Sequence, residues 1–191
     1  MLNFVLFIIL NFFVQNSGAP PQIESKPVSW GFKKCETGRK ENVNSIIIHS
    51  TFNALDKDSF DVAKIIDIYK RYRVSPHYLI GRDGKIYRLV NEQDIAFHAG
   101  KSKLPNGQTD VNACSIGIEI INSYTEPPSE KQYNSLFLLT KMLIGRYKIK
   151  FILGHADIAP GRKIDPYVFD WKLYSRFIKH ELKADKIILP E

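Results

Sequence analysis

Two of the chain's five histidines follow directly on short apolar runs, His49 in IIIHST and His155 in FILGHAD, and Asp165 comes ten residues after the second, in GHADIAPGRKIDP. Polar side chains at strand ends stand where a scaffold commonly builds a site. Two imidazoles and a carboxylate are acceptable zinc ligands. Three protein ligands leave the fourth corner of a tetrahedral ion open, the arrangement of a catalytic rather than a structural centre. Glu119 stands in SIGIEII, with Ile118 and Ile120 directed to the opposite face. A carboxylate inside an apolar strand is costly to bury alone, and beside a metal it is suited to take a proton from water. Lys163, two residues before Asp165, shares its face in an extended segment and could balance an oxyanion at an attacked carbonyl. Each of these residues also has a structural reading. Strand-end histidines are satisfied core groups at least as often as ligands, Asp165 precedes Pro166 as turn residues do, Glu119 could be a salt-bridged core carboxylate, and Lys163 could be a solvated neighbour of Arg162.

The elements that must position them are strands alternating with helices. Ser45–His49 and Phe151–Gly154 read as short buried strands, and Ser115–Ile121 as another. Asp58 is placed to cap a helix that shows Val62, Ile65, Ile66 and Tyr69 on one face. Asp83-Gly84 between two β-rich runs predicts a hairpin. Ser129 followed by Gln132 is a capping-box pattern opening a helix with Tyr133, Leu136, Phe137 and Thr140 on one side, and Asp170 caps a last helix bearing Trp171, Tyr174 and Phe177. The expected architecture is an α/β domain, a central mixed sheet flanked by helices.

The chain has 191 residues, 44% hydrophobic and 25% charged, with a net charge of +7. That balance describes one globular domain rather than a disordered chain. The positive excess favours anionic partners. No stripe of Lys and Arg interleaved with aromatics marks a nucleic-acid groove, so nucleic acid is not an expected partner. Leu2–Val14 is uncharged and apolar, too short for a comfortable span, and is followed by Ser17, Gly18 and Ala19. Residues 1–19 therefore read as a signal peptide, or as an N-terminal anchor that associates with a membrane if left uncut. The expected location is periplasmic or secreted. Residues 20–29 read as a proline-rich linker, 30–182 as the domain and 183–191 as a loose tail. Cys35 and Cys114 read as independent small side chains rather than a disulfide.

The stretches IIIHST, VSPHYLIGRDGKIYRLV, IAFHAGKS, NACSIGIEIIN and GHADIAPGRKIDP together resemble the zinc-dependent N-acetylmuramoyl-L-alanine amidases of the AmpD and AmiD type, relatives of phage amidase lysozymes and animal peptidoglycan recognition proteins. They occur in the family's order over roughly residues 45 to 171. The resemblance implies one zinc ion held by His49, His155 and Asp165, with Glu119 activating water and Lys163 beside the developing oxyanion. It implies hydrolysis of the amide between N-acetylmuramic acid, anhydro form included, and L-alanine, in peptidoglycan or muropeptides, by a monomer. His77, Arg82, His98 and Asn112 fall in segments that border the substrate groove in relatives, with His77 equally suited to packing; His180 matches nothing and reads as a surface residue. The sequence departs from the family at Tyr167 and Val168, where a Gly-Pro loop is common, and at Phe97, where Trp is frequent. Both departures bear on substrate preference rather than on metal chemistry. The alternatives are a peptidoglycan-binding module without catalysis and a cytoplasmic amidase that recycles anhydro-muropeptides.

Overall fold

The computed structural model describes residues 20–190. The segment read as a leader, 1–19, lies outside the described residues. No described helix is long and apolar enough to cross a membrane.

Six strands form the central sheet in the order β1-β5-β4-β7-β3-β8: β1 (Ile23–Ser25), β5 (Ile86–Arg88), β4 (Tyr78–Ile80), β7 (Ser115–Ile121), β3 (Ser45–Thr51) and β8 (Phe151–Gly154). β4, β7, β3 and β8 run parallel, and β5 joins β4 antiparallel as the Asp83-Gly84 hairpin requires. β2 (Phe32–Lys33) and β6 (Ile95–Ala96) make a separate antiparallel pair. The mixed sheet with flanking helices is the architecture read from the sequence.

Alternation along β3 and β7 divides the core. Ile46, Ile48, Ile116, Ile118 and Ile120 face helix α3 (Glu130–Arg146), which brings Tyr133, Leu136, Phe137, Leu139 and Leu143 against them. The capping box expected at Ser129 and Gln132 is present. Helix α5 (Trp171–Arg176), capped by Asp170, and the π-helical turn Phe177–Glu181 cover the same face, with Phe177 stacked on Phe137 at 4.1 Å. His180 is exposed on that turn, as expected. On the opposite face Ile47 and Leu153 pack with Ala99, Leu104 and Val111, the last on the short helix α2 (Val111–Cys114), while Leu79 and Ile121 pack with helix α1 (Val62–Tyr72). His49, Gly117 and Glu119 share this second face, between the two apolar clusters.

Three expectations are corrected. The side chain that caps α1 is Asp61, whose carboxylate accepts the Lys64 N–H, while Asp58 accepts from Phe60 within the preceding turn. The stretch read as a linker supplies β1, which pairs with β5, because Ile23 can bury against the core even in a polar context. The stretch read as a loose tail is tied down: Ile187 is buried, and Ile188 exchanges backbone hydrogen bonds with Lys150 and Ile152 along the open edge of β8. Cys35 and Cys114 are both free thiols.

Candidate metal centre

His49, Glu119 and His155 stand toward or just beyond the C-terminal ends of the parallel strands β3, β7 and β8, where open α/β sheets place their sites. His49 lies near the end of the buried part of β3, one residue before Ser50, and pairs in register with Glu119 of β7. His155 opens the short helix α4 (His155–Ile158) directly after β8. Asp165 returns on the loop that follows. Gly154 admits that loop, since a Cβ there would lie 2.6 Å from Pro166 Cδ. The Ala156 N–H holds the Asp165 carbonyl at 2.8 Å. Ser50 and Asn122 fasten Tyr167, two residues on: Ser50 Oγ accepts the Tyr167 N–H at 2.9 Å and donates to Asn122 Oδ1, and Asn122 Nδ2 donates to the Tyr167 carbonyl.

The three candidate ligands converge. His49 Nδ1 and His155 Nδ1 lie 3.0 Å apart, and each lies 3.3 Å from Asp165 Oδ2. Zinc bonds of about 2.0–2.2 Å in a tetrahedron put ligand atoms roughly 3.3–3.5 Å apart. The triangle therefore fits a zinc ion with little adjustment, and all three residues are buried. Burial pushes the His49 imidazole down to about 4, against the opposing pull of Asp165, so it is a neutral donor at neutral pH. Burial pushes the Asp165 carboxyl upward, but its contacts with His155 and His49 outweigh that and hold it well below the usual carboxylate range. Two imidazoles and one carboxylate are a donor set of the kind that leaves a metal's fourth corner open.

The outward nitrogens are also engaged, which sets the tautomers. His155 Nε2 donates to the Ala99 carbonyl at 3.1 Å, and Arg162 donates to the same carbonyl at 2.9 Å. His49 Nε2 lies 3.0 Å from His98 Nδ1, His98 Nε2 lies 3.2 Å from Ser115 Oγ, and Ser115 Oγ donates to the Val111 carbonyl. Followed back from that carbonyl, the chain makes each histidine an Nε2–H donor and leaves Nδ1 of His49 free for a metal.

Glu119 and Lys163 border the same pocket, of about 190 Å³, with Ser50, His98, His155 and Asp165. Glu119 is half-buried as a residue, yet its Oε2 is fully shielded and without a hydrogen-bond partner. Burial and then the Asp165 charge push its carboxyl well up, with Lys163 opposing. Val74, Phe97 and Tyr167 also line the pocket.

The four expected substrate contacts fare differently. His98 lines the pocket, but both of its ring nitrogens are committed to His49 and Ser115, so it orients a ligand rather than presenting a free donor. Asn112 turns its amide oxygen to the backbone N–H groups of His98 and Ala99, fixing that loop. His77 is fully buried: its Nδ1 accepts the Gly117 N–H, and its Nε2 meets Arg39 and the Asp94 carbonyl. Arg82 is outside the pocket, bonded to the Pro127 carbonyl and Gln132 and placed over Phe60. Sequence reasoning missed Arg39, a buried guanidinium held by four backbone carbonyls and His77, with burial pushing it down to about 10. It also missed Ser50, whose signal was its place beside His49, and Tyr69, which reads as an ordinary helical core position.

Residues 39–168 match the family model described as N-acetylmuramoyl-L-alanine amidase. Among curated proteins, the 1,6-anhydro-N-acetylmuramyl-L-alanine amidase AmpD of Haemophilus influenzae is 44% identical over 117 residues, 59% of this chain and 62% of that protein. The N-acetylmuramoyl-L-alanine amidase AmiD of Escherichia coli is 37% identical over 149 residues, 68% of this chain and 51% of that protein. The chain thus spans between half and about three-fifths of these relatives' length. Among solved structures, a selenomethionine derivative of AmpD superposes with a TM-score of 0.66 at 31% identity, covering 85% of this chain and 97% of that one. E. coli AmiD in complex with the substrate anhydro-N-acetylmuramic acid-L-Ala-D-gamma-Glu-L-Lys gives a TM-score of 0.63 at 30% identity, covering 77% and 65%.

Proposed function

The chain belongs to the N-acetylmuramoyl-L-alanine amidase family, and from that premise we propose that it hydrolyses the amide between N-acetylmuramic acid, anhydro form included, and L-alanine in peptidoglycan or muropeptides. The observation that carries the reading is the buried triangle of His49, His155 and Asp165 donor atoms beside Glu119 and Lys163. One chain supplies all three donors, which supports action as a monomer.

What zinc supplies at such a site is Lewis acidity toward water and the amide carbonyl. The remaining work falls to the protein. Glu119 is placed to take a proton from the attacking water and to return it to the departing amine of L-alanine. Lys163, which forms no ion pair among the described residues, is the cation available to the oxyanion that forms at the lactyl carbonyl. Phe97 and Tyr167, at the two departures from the family pattern, give the pocket an aromatic lining for the sugar or the peptide. The uncharged apolar run Leu2–Val14 supports export, which would put this chemistry on the wall side of the cytoplasmic membrane. Cell fractionation checks that placement.

The test of function is mass spectrometry of the products formed from purified sacculi and from anhydro-muropeptides, with and without a chelator. Free stem peptides beginning with L-alanine, lost on chelation and regained with zinc, are expected. Intact substrate under all conditions would refute the reading. A Glu119→Ala protein that kept its zinc and its full rate would refute the role given to Glu119.

A further inference from the structure

Tyr69 carries a buried hydroxyl for which neither the fold nor the chemistry above has a use. It stands on α1 beside Ile65 and Ile66 and is only 5% exposed. Its ring packs in the cluster with Leu79, Leu89 and Ile121. The residue nevertheless borders the pocket of Glu119, His155, Lys163 and Asp165, and its hydroxyl is shielded and completes no hydrogen bond. Thr51 comes near enough to influence that hydroxyl without a bond of acceptable geometry.

A shielded phenol with no partner weakens the fold, and phenylalanine would keep the same packing without that cost. A second orphan belongs to another residue bordering the same pocket, Oε2 of Glu119. One is a donor lacking an acceptor and the other an acceptor lacking a donor. Burial, and then the charge of Glu119, hold the phenol well above its usual range, so Tyr69 stays neutral and keeps its proton to donate.

We propose that Tyr69 is a positioning residue for Glu119: its O–H donates to Glu119 Oε2, after a small side-chain rotation or through one water, and so fixes the carboxylate with its other oxygen toward the attacking water. This inference rests on the amidase reading and deepens it. No proton leaves Tyr69 in the cycle. The one taken from water resides on Glu119 and then passes to the departing amine.

The test is Tyr69→Phe, compared with wild type for kcat, KM, zinc content and the melting temperature of the metal-free protein. The expected loss is roughly 10- to 100-fold in kcat, with KM and zinc content held and the melting temperature not lowered. In a Glu119→Gln background, the same substitution should change the residual rate by less than about twofold, because the two groups act as one unit. Wild-type kcat in Tyr69→Phe overturns the inference. So does a loss carried by KM, a lowered melting temperature beside the lost rate, or the full loss repeated in the Glu119→Gln background. If the wild-type protein cleaves no muropeptide, the amidase reading falls and this inference with it. If wild type cleaves and Tyr69→Phe matches it, only this inference falls.

Discussion

Gly117→Ala should cripple the metal centre without touching a ligand. A Cβ at Gly117 would lie 2.4 Å from Cγ of His98 and 2.6 Å from its Nδ1 and Cδ2. Ordinary carbon contacts are about 3.5–4.0 Å, so the ring must retreat by about 1 Å. His98 is the hydrogen-bond partner of His49 Nε2 at 3.0 Å and of Ser115 Oγ at 3.2 Å. A retreat of that size carries both contacts beyond hydrogen-bonding range. Overpacking costs about 1–3 kcal/mol, and two lost bonds add about 1 kcal/mol each. For a domain of this size, the sum lowers the melting temperature by roughly 6–20 °C. Freeing the outer nitrogen of a metal-ligating histidine typically weakens metal binding by about 10- to 100-fold. Differential scanning calorimetry of the metal-free protein and zinc titration with a competing chelator read the two effects. In a His98→Ala background, where the ring is gone, Gly117→Ala should cost little, because the clash and the bonds share one cause. A Gly117→Ala protein that melts and binds zinc as wild type does would refute the role given to His98. An equal penalty in the His98→Ala background would refute the mechanism of the clash.

Other expectations follow from the same geometry. Lys163→Met keeps the stem and removes the charge, so kcat should fall by about 10²–10³ with KM and zinc content little changed; an undiminished kcat would exclude Lys163 from the oxyanion. Glu119 has a folded-state pKa raised by burial and then by Asp165. Its contribution to stability is therefore present below its ordinary value and lost as pH rises through the folded value, so at neutral pH and above its burial weakens the metal-free protein. Glu119→Gln should then raise the melting temperature of the metal-free protein more at pH 8 than at pH 4, and no difference between the two pH values would contradict the shift. His49 is shifted the other way, from 6.5 to about 4. The stability contributed by its neutral form is present above pH 6.5 and drains away as pH falls toward 4, by up to about 3 kcal/mol. Burial pushes His77 and His98 down as well, adding to the same trend. The metal-free protein should melt at progressively lower temperature from pH 7 to 4.5, and a flat profile would contradict the burial of neutral imidazoles.

What could be read from the chain was what local pattern encodes. β3 and β7 are rich in isoleucine, and their alternation fixes which side chains share a face, so His49 and Glu119 could each be set apart from the isoleucine face before their register was known. The Asp83-Gly84 turn and the Ser129–Gln132 box are complete within four residues, and both form. The ligand triangle joins positions 116 residues apart, from His49 to Asp165. Spacing could nominate those residues, but only the family motifs in their order singled them out. Roles set by distant partners were not legible. His98 was expected to touch substrate because its segment borders the groove in relatives, yet its ring is occupied by His49 and Ser115, contacts that no local pattern announces. Arg39 looks like a loop cation, and only the convergence of four carbonyls around it makes a buried guanidinium tolerable. Asp61, three residues past Asp58, holds the capping position because the helix begins at Val62. Ile23 and Ile188 lie in polar, proline-bearing ends whose composition argues for disorder, and each is nonetheless recruited to a sheet edge.

The account rests most heavily on a single zinc ion held by His49, His155 and Asp165. The direct measurement is zinc per chain by plasma mass spectrometry, for the wild-type protein and for an Asp165→Ala variant of matching far-UV circular dichroism, after dialysis against the same buffered zinc. One ion per chain in the wild type and almost none in the variant is the predicted result. Equal zinc in both, or none in the wild type, would contradict it.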